Sequence, residues 1–247
     1  MKSTSWQKVS KWYGEITQSG GHYYHQKIVM PGVIKLLNFK GGEESLLDLA
    51  CGNGVLAKYL PPEVSYLGID VASNLINQAK GNKNHQFLVA DVTRPLPVKD
   101  QFTHASIILA MQNIRSPQRA LFNVVKLLVK GGVLVMVLNH PCFRIPRQSG
   151  WGIDEHNKLQ YRKIIKYMSP MEIPITANPS LGQRSPTTLS FHRSLSWYVK
   201  ILKNAGFVVT DMEEWASDKE SIGSAAKMEN RARAEIPLFL AIVATKI

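Results

Sequence analysis

The chain has 247 residues, 45% of them hydrophobic and 19% charged. At that length an α/β fold is commonly one domain, and the composition excludes a disordered or fibrous chain. A formal net charge of +12 leaves an anionic partner open, but the cations are dispersed and form no polybasic tail.

Residues 1–42 predict a helical lead-in. Ile28, Val29, Val33, Ile34, Leu36 and Leu37 form one apolar helical face, with Gly41-Gly42 as its expected end. The preceding run Gly20–His25 reads either as a lid or as an ordinary helix start, with Tyr24 as a candidate cofactor contact and Tyr13, upstream, as a candidate substrate contact. Residues 43–139 alternate apolar runs with helical patterns. Strands are expected at Ser45–Ala50, Tyr66–Asp70, Gln86–Val92, Phe102–Ala110 and Val133–Asn139. Helices are expected at Val55–Leu60, halted by Pro61-Pro62, at Ser73–Lys80 with Ser73 as N-cap, and at Ala120–Val129, closed by Gly131-Gly132. This alternation predicts a mostly parallel sheet with helices on both faces. Residues 140–192 break the rhythm and read as a long irregular, lid-like insertion. Residues 193–247 restore it, with a helix at Ser194–Asn204, a strand at Phe207–Trp215, a polar helix near Ala225–Ala234 and a last strand at Leu238–Thr245. The whole is read as one domain.

Two cysteines, Cys51 and Cys142, make neither a disulfide framework nor a zinc site, so no metal is expected. No signal peptide and no run of bilayer length is visible. A reduced cytoplasmic setting without a membrane partner is therefore expected.

The segment LLDLACGNG carries most of the functional signal. An apolar strand ends at Asp48 and is followed by Ala50, Cys51, Gly52 and Gly54, small residues that let backbone approach a ligand before a helix N-terminus. Asp70, 18 residues after Gly52, ends the next strand in YLGID. A carboxylate there is placed to accept hydrogen bonds from ribose hydroxyls. Asp91, in FLVAD, is placed to take an exocyclic amine, with Val71 and Val92 flanking a purine ring. Three acids at three successive strand ends fit a ligand at the switch point of an open sheet.

On these residues the chain resembles the class I S-adenosylmethionine (SAM)-dependent methyltransferases. Their Asp/Glu-x-Gly-x-Gly-x-Gly motif stands here as Asp48-Leu49-Ala50-Cys51-Gly52-Asn53-Gly54. Ala50 replaces the first glycine, a change compatible with the turn where φ need not be positive. The run LLVKGGVLVMVL at 127–138 is also typical. The resemblance covers 45–139, and 193–247 in strand pattern. It implies a seven-stranded sheet whose last strand is antiparallel. It also implies SAM held by Asp48, Ala50, Gly52, Gly54, Asp70, Asp91 and Val92, with Ala110 beside the sulfonium. A nicotinamide oxidoreductase is the alternative for the glycine turn, since Ala57 satisfies the looser spacing. A P-loop is excluded by the missing Gly-Lys-Ser/Thr.

The acceptor is less legible. Ala110-Met111-Gln112-Asn113 lacks the (Asp/Asn/Ser)-Pro-Pro-(Tyr/Phe) tetrapeptide of nucleic-acid amino methyltransferases. Gln112 and Asn113 are candidates to orient an acceptor, or simple loop caps. His140 is a candidate general base, or a structural histidine. Arg144, Arg147, Trp151 and His192 are candidate contacts for an aromatic or acidic small molecule, methylated at O or N. An RNA-directed enzyme is the alternative suggested by the charge. Oligomeric state is not read from the sequence.

Overall fold

A computed structural model describes residues 7, 14, 22–176 and 185–247. A π-helical turn, His25–Val29, runs directly into α1 (Met30–Leu37). Helix α1 stops at Asn38, which adopts the left-handed conformation (φ 50°) and donates its N–H to the Ile34 carbonyl. The helix therefore ends three residues before the expected stop at Gly41-Gly42, because asparagine tolerates αL better than most non-glycine residues.

The next elements are β1 (Ser45–Leu49), β2 (Ser65–Asp70), a single helical turn α2 (Ser73–Ile76), β3 (His85–Val89), β4 (Phe102–Ile108), α3 (Pro117–Leu127) and β5 (Leu128–Asn139). Four expectations are corrected here. Val55–Leu60 forms only a 3-10 turn at Leu56–Lys58. The N-cap of α2 is Ala72, not Ser73, and the turn ends at Ile76. Gly131-Gly132 does not close α3, since the chain turns extended at Leu128 and the glycines lie inside β5. There the register with β4 shifts between Phe102 and His104, the kind of irregularity that an unhindered Gly-Gly allows. Strand β3 also ends early, at Val89, so Asp91 and Val92 lie in the turn beyond it.

Among its described residues the insertion is regular rather than irregular. It holds two antiparallel hairpins, β6 (Ser149–Asp154) with β7 (Leu159–Ile164), and β8 (Met171–Thr176) with β9 (Thr187–His192). Helix α4 (Leu195–Asn204), β10 (Phe207–Trp215), α5 (Ala226–Glu235) and β11 (Phe239–Lys246) complete the chain.

The main sheet has the order β10-β11-β5-β4-β1-β2-β3. Strands β1 to β5 are mutually parallel, and the last strand, β11, lies antiparallel between β5 and β10. Alternate residues feed two cores. Leu134, Met136 and Leu138 of β5 and Leu240 and Ile242 of β11 pack with α3 and α4. Val135, Val137, Ala241 and Val243 pack with Val29, Met30, Val33 and Leu37 at the other face. Helices thus cover both faces, and the carboxyl ends of β1 to β5 remain as one edge where connecting loops converge.

Candidate active site

The turn leaving β1 is wound by three left-handed residues in alternation: Ala50 (φ 57°), Gly52 (φ 61°) and Gly54 (φ 69°). Ala50 therefore does hold a positive φ, against the expectation for an alanine, and stores local strain. A Cβ on Gly54 would lie 2.5 Å from the Phe87 ring, so this position requires glycine for space as well as for φ. The Gly52 N–H donates to Asp70 Oδ2 (2.9 Å), and the Ala72 N–H donates to Asp70 Oδ1 (2.8 Å). The strand ends of β1 and β2 are thereby locked together. Each Asp70 oxygen keeps lone-pair capacity for one further donor. Burial pushes the Asp70 carboxyl up, and the backbone N–H donors oppose that shift.

Asp48 lies beneath the turn rather than at its surface. It is 3% exposed, accepting from Tyr66 OH (2.8 Å) and Ser106 Oγ (2.7 Å) on the two neighbouring strands. Desolvation raises its carboxyl to about 6. Cys51 is packed beside Gly68, and burial together with the charges of Asp48 and Asp70 pushes its thiol well up, so it stays protonated. Val71 is half exposed at the tip of β2. Asp91 is held by its own turn, with Oδ1 accepting from the Thr93 N–H and hydroxyl and Oδ2 3.5 Å from Arg94. Val92 is buried in the core beside α3. The structure brings Asp48, Ala50, Cys51, Gly52, Gly54 and Asp70 into one cradle, with Val71 on its rim and Asp91 on the neighbouring loop.

Past β4, Leu109 is left-handed (φ 53°), and Ala110 opens a 3-10 turn at Met111–Asn113. Gln112 Nε2 donates to the Leu109 carbonyl (2.7 Å), as does Asn113 Nδ2 at 3.5 Å. Gln112 Oε1 is buried and accepts no hydrogen bond among the described residues. Asn113 reaches the same loop carbonyl through Nδ2 alone, and Gln112 keeps one unused, buried acceptor.

Past β5, His140 is 1% exposed and engaged at both nitrogens. The Cys142 N–H donates to Nδ1 (3.2 Å), so Nε2 carries the proton and donates to Glu214 Oε1 (2.6 Å). Burial lowers its pKa, and Glu214 opposes that shift. No lone pair remains for taking a substrate proton. The general-base expectation is corrected to a positioning one: His140 pins the turn after β5 to β10.

Tyr24 packs edge-on against Phe239 and bonds Ser217 Oγ (3.1 Å), which sets it at the carboxyl end of β5. His192 Nε2 donates to the Tyr167 carbonyl (2.6 Å), and the Tyr167 hydroxyl accepts from the Leu195 N–H (2.9 Å) and the Cys142 thiol (3.5 Å). His192 is therefore committed to holding the hairpins against α4. Arg144 and Arg147 are exposed, and Trp151 lies under the Arg162 guanidinium (5.1 Å). Tyr13 falls outside the described residues. Tyr66, Ser106, Glu214 and Arg162 were not singled out in the sequence. Each acts through a contact across the fold, and nothing in local spacing marks it. A separate surface cleft of about 680 Å³, lined by Lys35, His104, Glu213 and Thr245 among others, opens at the amino ends of the strands, away from the cradle.

Residues 47–136 match a family model described as a methyltransferase domain. A Campylobacter jejuni protein named ubiquinone/menaquinone biosynthesis C-methyltransferase UbiE is 28% identical over 193 residues, covering 74% of this chain and 78% of that one. A Listeria monocytogenes structure described as a SAM-dependent methyltransferase superposes with a TM-score of 0.68 at 22% identity, over 88% of this chain and 98% of that chain. One from Mesorhizobium loti gives a TM-score of 0.68 at 21%, over 90% and 99%. The matched segment spans the cradle, and the strand order with its inserted antiparallel β11 leaves no place for the nicotinamide reading. Residues 47–136 are thus a methyltransferase domain, and the chain has the Rossmann-like fold of SAM-dependent methyltransferases; it is an enzyme whose methyl donor is SAM.

Proposed function

We propose that the chain methylates a small-molecule acceptor seated over the carboxyl ends of β4 and β5. The observation that carries the reading is the cradle beside that position: a turn with no Cβ at Gly54 and a carboxylate, Asp70, fixed at the adjoining strand tip with acceptor capacity to spare. The cradle fits SAM. Asp70 holds the ribose hydroxyls, the Ala50–Gly54 backbone lies against the amino-acid portion, and Val71 and Asp91 face the adenine. SAM supplies an activated methyl on a sulfonium, so the chain's own part is proximity, alignment and exclusion of water. Gln112 Oε1 takes an N–H or O–H of the acceptor and sets its orientation. The name of the C. jejuni relative adds carbon to oxygen and nitrogen as an acceptor atom. The two hairpins built from the insertion favour an enclosed small acceptor over an open surface for RNA.

The test is ligand-induced stabilisation. At about 100 times its dissociation constant, S-adenosylhomocysteine should stabilise the wild type by about 2.7 kcal/mol. Asp70→Ala should lose most of that shift. An unchanged shift in the variant would remove Asp70 from the ribose site. Turnover of RNA with a steep salt dependence would favour the nucleic-acid alternative that the charge of +12 suggests.

A further inference from the structure

At the turn leaving β5, Arg162 reaches across from β7 to the backbone beside Arg144. Arg162, on β7, donates from Nε to the carbonyl of Phe143 (2.8 Å), the peptide that leads into Arg144. Its Nη2 donates to Ser149 Oγ (2.9 Å), and its plane lies over the Trp151 ring (5.1 Å). Three contacts thus fix one arginine, with rotamer freedom already lost and one guanidinium nitrogen, Nη1, without a hydrogen bond among the described residues. Arg144 is exposed and makes no side-chain hydrogen bond or ion pair among the described residues. No carboxylate among them lies within ion-pair distance of either arginine. Glu214, which enters this corner from β10, is spent on His140. Both guanidiniums are lowered by desolvation, and Arg162 further by the charge of Arg144. Two neighbouring cations with no protein carboxylate paired to them leave this corner open to an anion.

The position suits an acceptor. Strand β5 lies two strand spacings from β1, about 10 Å, so this corner stands one small-molecule length from the Ala50–Gly54 turn. We propose that Arg144 and Arg162 are an oxyanion-recognising pair that takes the carboxylate or phosphate of the methyl acceptor, with Trp151 holding the Arg162 fork. This rests on the small-molecule reading above and narrows it to an anionic acceptor.

Calorimetric titration of benzoate, phenyl phosphate and neutral benzamide tests it, with the full chain alone and saturated with S-adenosylhomocysteine. The wild type should bind benzoate or phenyl phosphate at least tenfold more tightly than benzamide, and whichever anion binds identifies the group. Arg144→Gln should lose at least tenfold in anion affinity, with S-adenosylhomocysteine affinity within twofold. Arg162→Gln should do the same, but its ties to Phe143 and Ser149 make Arg144→Gln the cleaner variant. Benzamide binding as tightly as the anions, no anion binding to the wild type, or unchanged anion affinity in Arg144→Gln would each overturn the pair. Failure of S-adenosylhomocysteine to bind would sink the cofactor assignment instead, while the titrations of the chain alone still decide the arginines.

Discussion

At the scale of single residues the cradle combines one strained position with one obligatory glycine. Ala50 sits at φ 57°, where a non-glycine L-residue pays about 1–2 kcal/mol. Glycine removes that strain but returns about 0.4–1 kcal/mol through the freer unfolded chain. Ala50→Gly should therefore raise stability by roughly 0.5–1 kcal/mol, seen as a higher urea midpoint with an unchanged slope. A lower midpoint would mean that the Ala50 methyl packs well enough to outweigh its backbone. Gly54→Ala should go the other way. Its methyl would meet Phe87 at 2.5 Å, and the variant should lose both stability and S-adenosylhomocysteine binding. Two positions of one motif, four residues apart, thus carry opposite predictions, which a generic effect of altering the loop would not reproduce.

At the scale of elements the second hairpin is clamped to the loop after β4. Arg193, 9% exposed, donates to the carbonyls of Ile114 (3.2 Å) and Arg115 (3.0 Å) while stacking on Phe191 and Trp197. Arg115 lies over Phe191 as well and pairs with Glu172 on β8. The exposed Arg115–Glu172 pair is screened by water and contributes little. The buried Arg193 contacts, hydrogen bonds from a charged donor, each contribute about 1.5–3 kcal/mol. Arg193→Met should loosen residues 111–115, measured as faster amide exchange there, and lower activity through a raised KM. Equal exchange in variant and wild type would show that the loop is held from β4 alone. The sequence made the main sheet legible because its central strands are apolar on both faces, as in VLVMVL, and acids stand at or just past the ends of β1, β2 and β3. The hairpins escaped because β6 and β7 are only partly buried and β9 is buried at consecutive positions, so neither gives a clear apolar alternation, and Gly150, Gly152 and Pro174 interrupt what remains. The cradle's glycines and Asp70 were readable from spacing. Tyr66 and Ser106, which hold Asp48, and Arg162 were not, since their roles exist only once β2, β4 and β7 are in place.

At the scale of the whole molecule, buried titratable groups of opposite sign shape the response to acid. His25, 5% exposed in the π-helical turn with Nδ1 lacking a partner among the described residues, is lowered by burial to about 3. Between 6.5 and about 3 the unfolded chain takes up a proton that the native chain refuses. Its contribution is therefore intact at pH 7 and lost as pH falls through that window, by up to about 5 kcal/mol. Asp48 acts in reverse. Its native pKa of about 6 lies above the unfolded 3.8, so the native chain holds the extra proton and gains about 3 kcal/mol as pH drops from 6 toward 4. His22, His85, His104 and His140 are also lowered, each with burial as the first cause, and add to the His25 side. The wild type should lose stability on acidification from pH 7 to 4, with Asp48 softening the fall. His25→Phe should flatten the profile and Asp48→Asn should steepen it, measured by urea unfolding at half-unit steps. Any packing cost of the phenyl ring is independent of pH and shifts the curve without tilting it, so the slope isolates the proton. A His25→Phe profile parallel to wild type would place that imidazole in contact with water, and the acid response would then fall to His22, His85, His104 and His140.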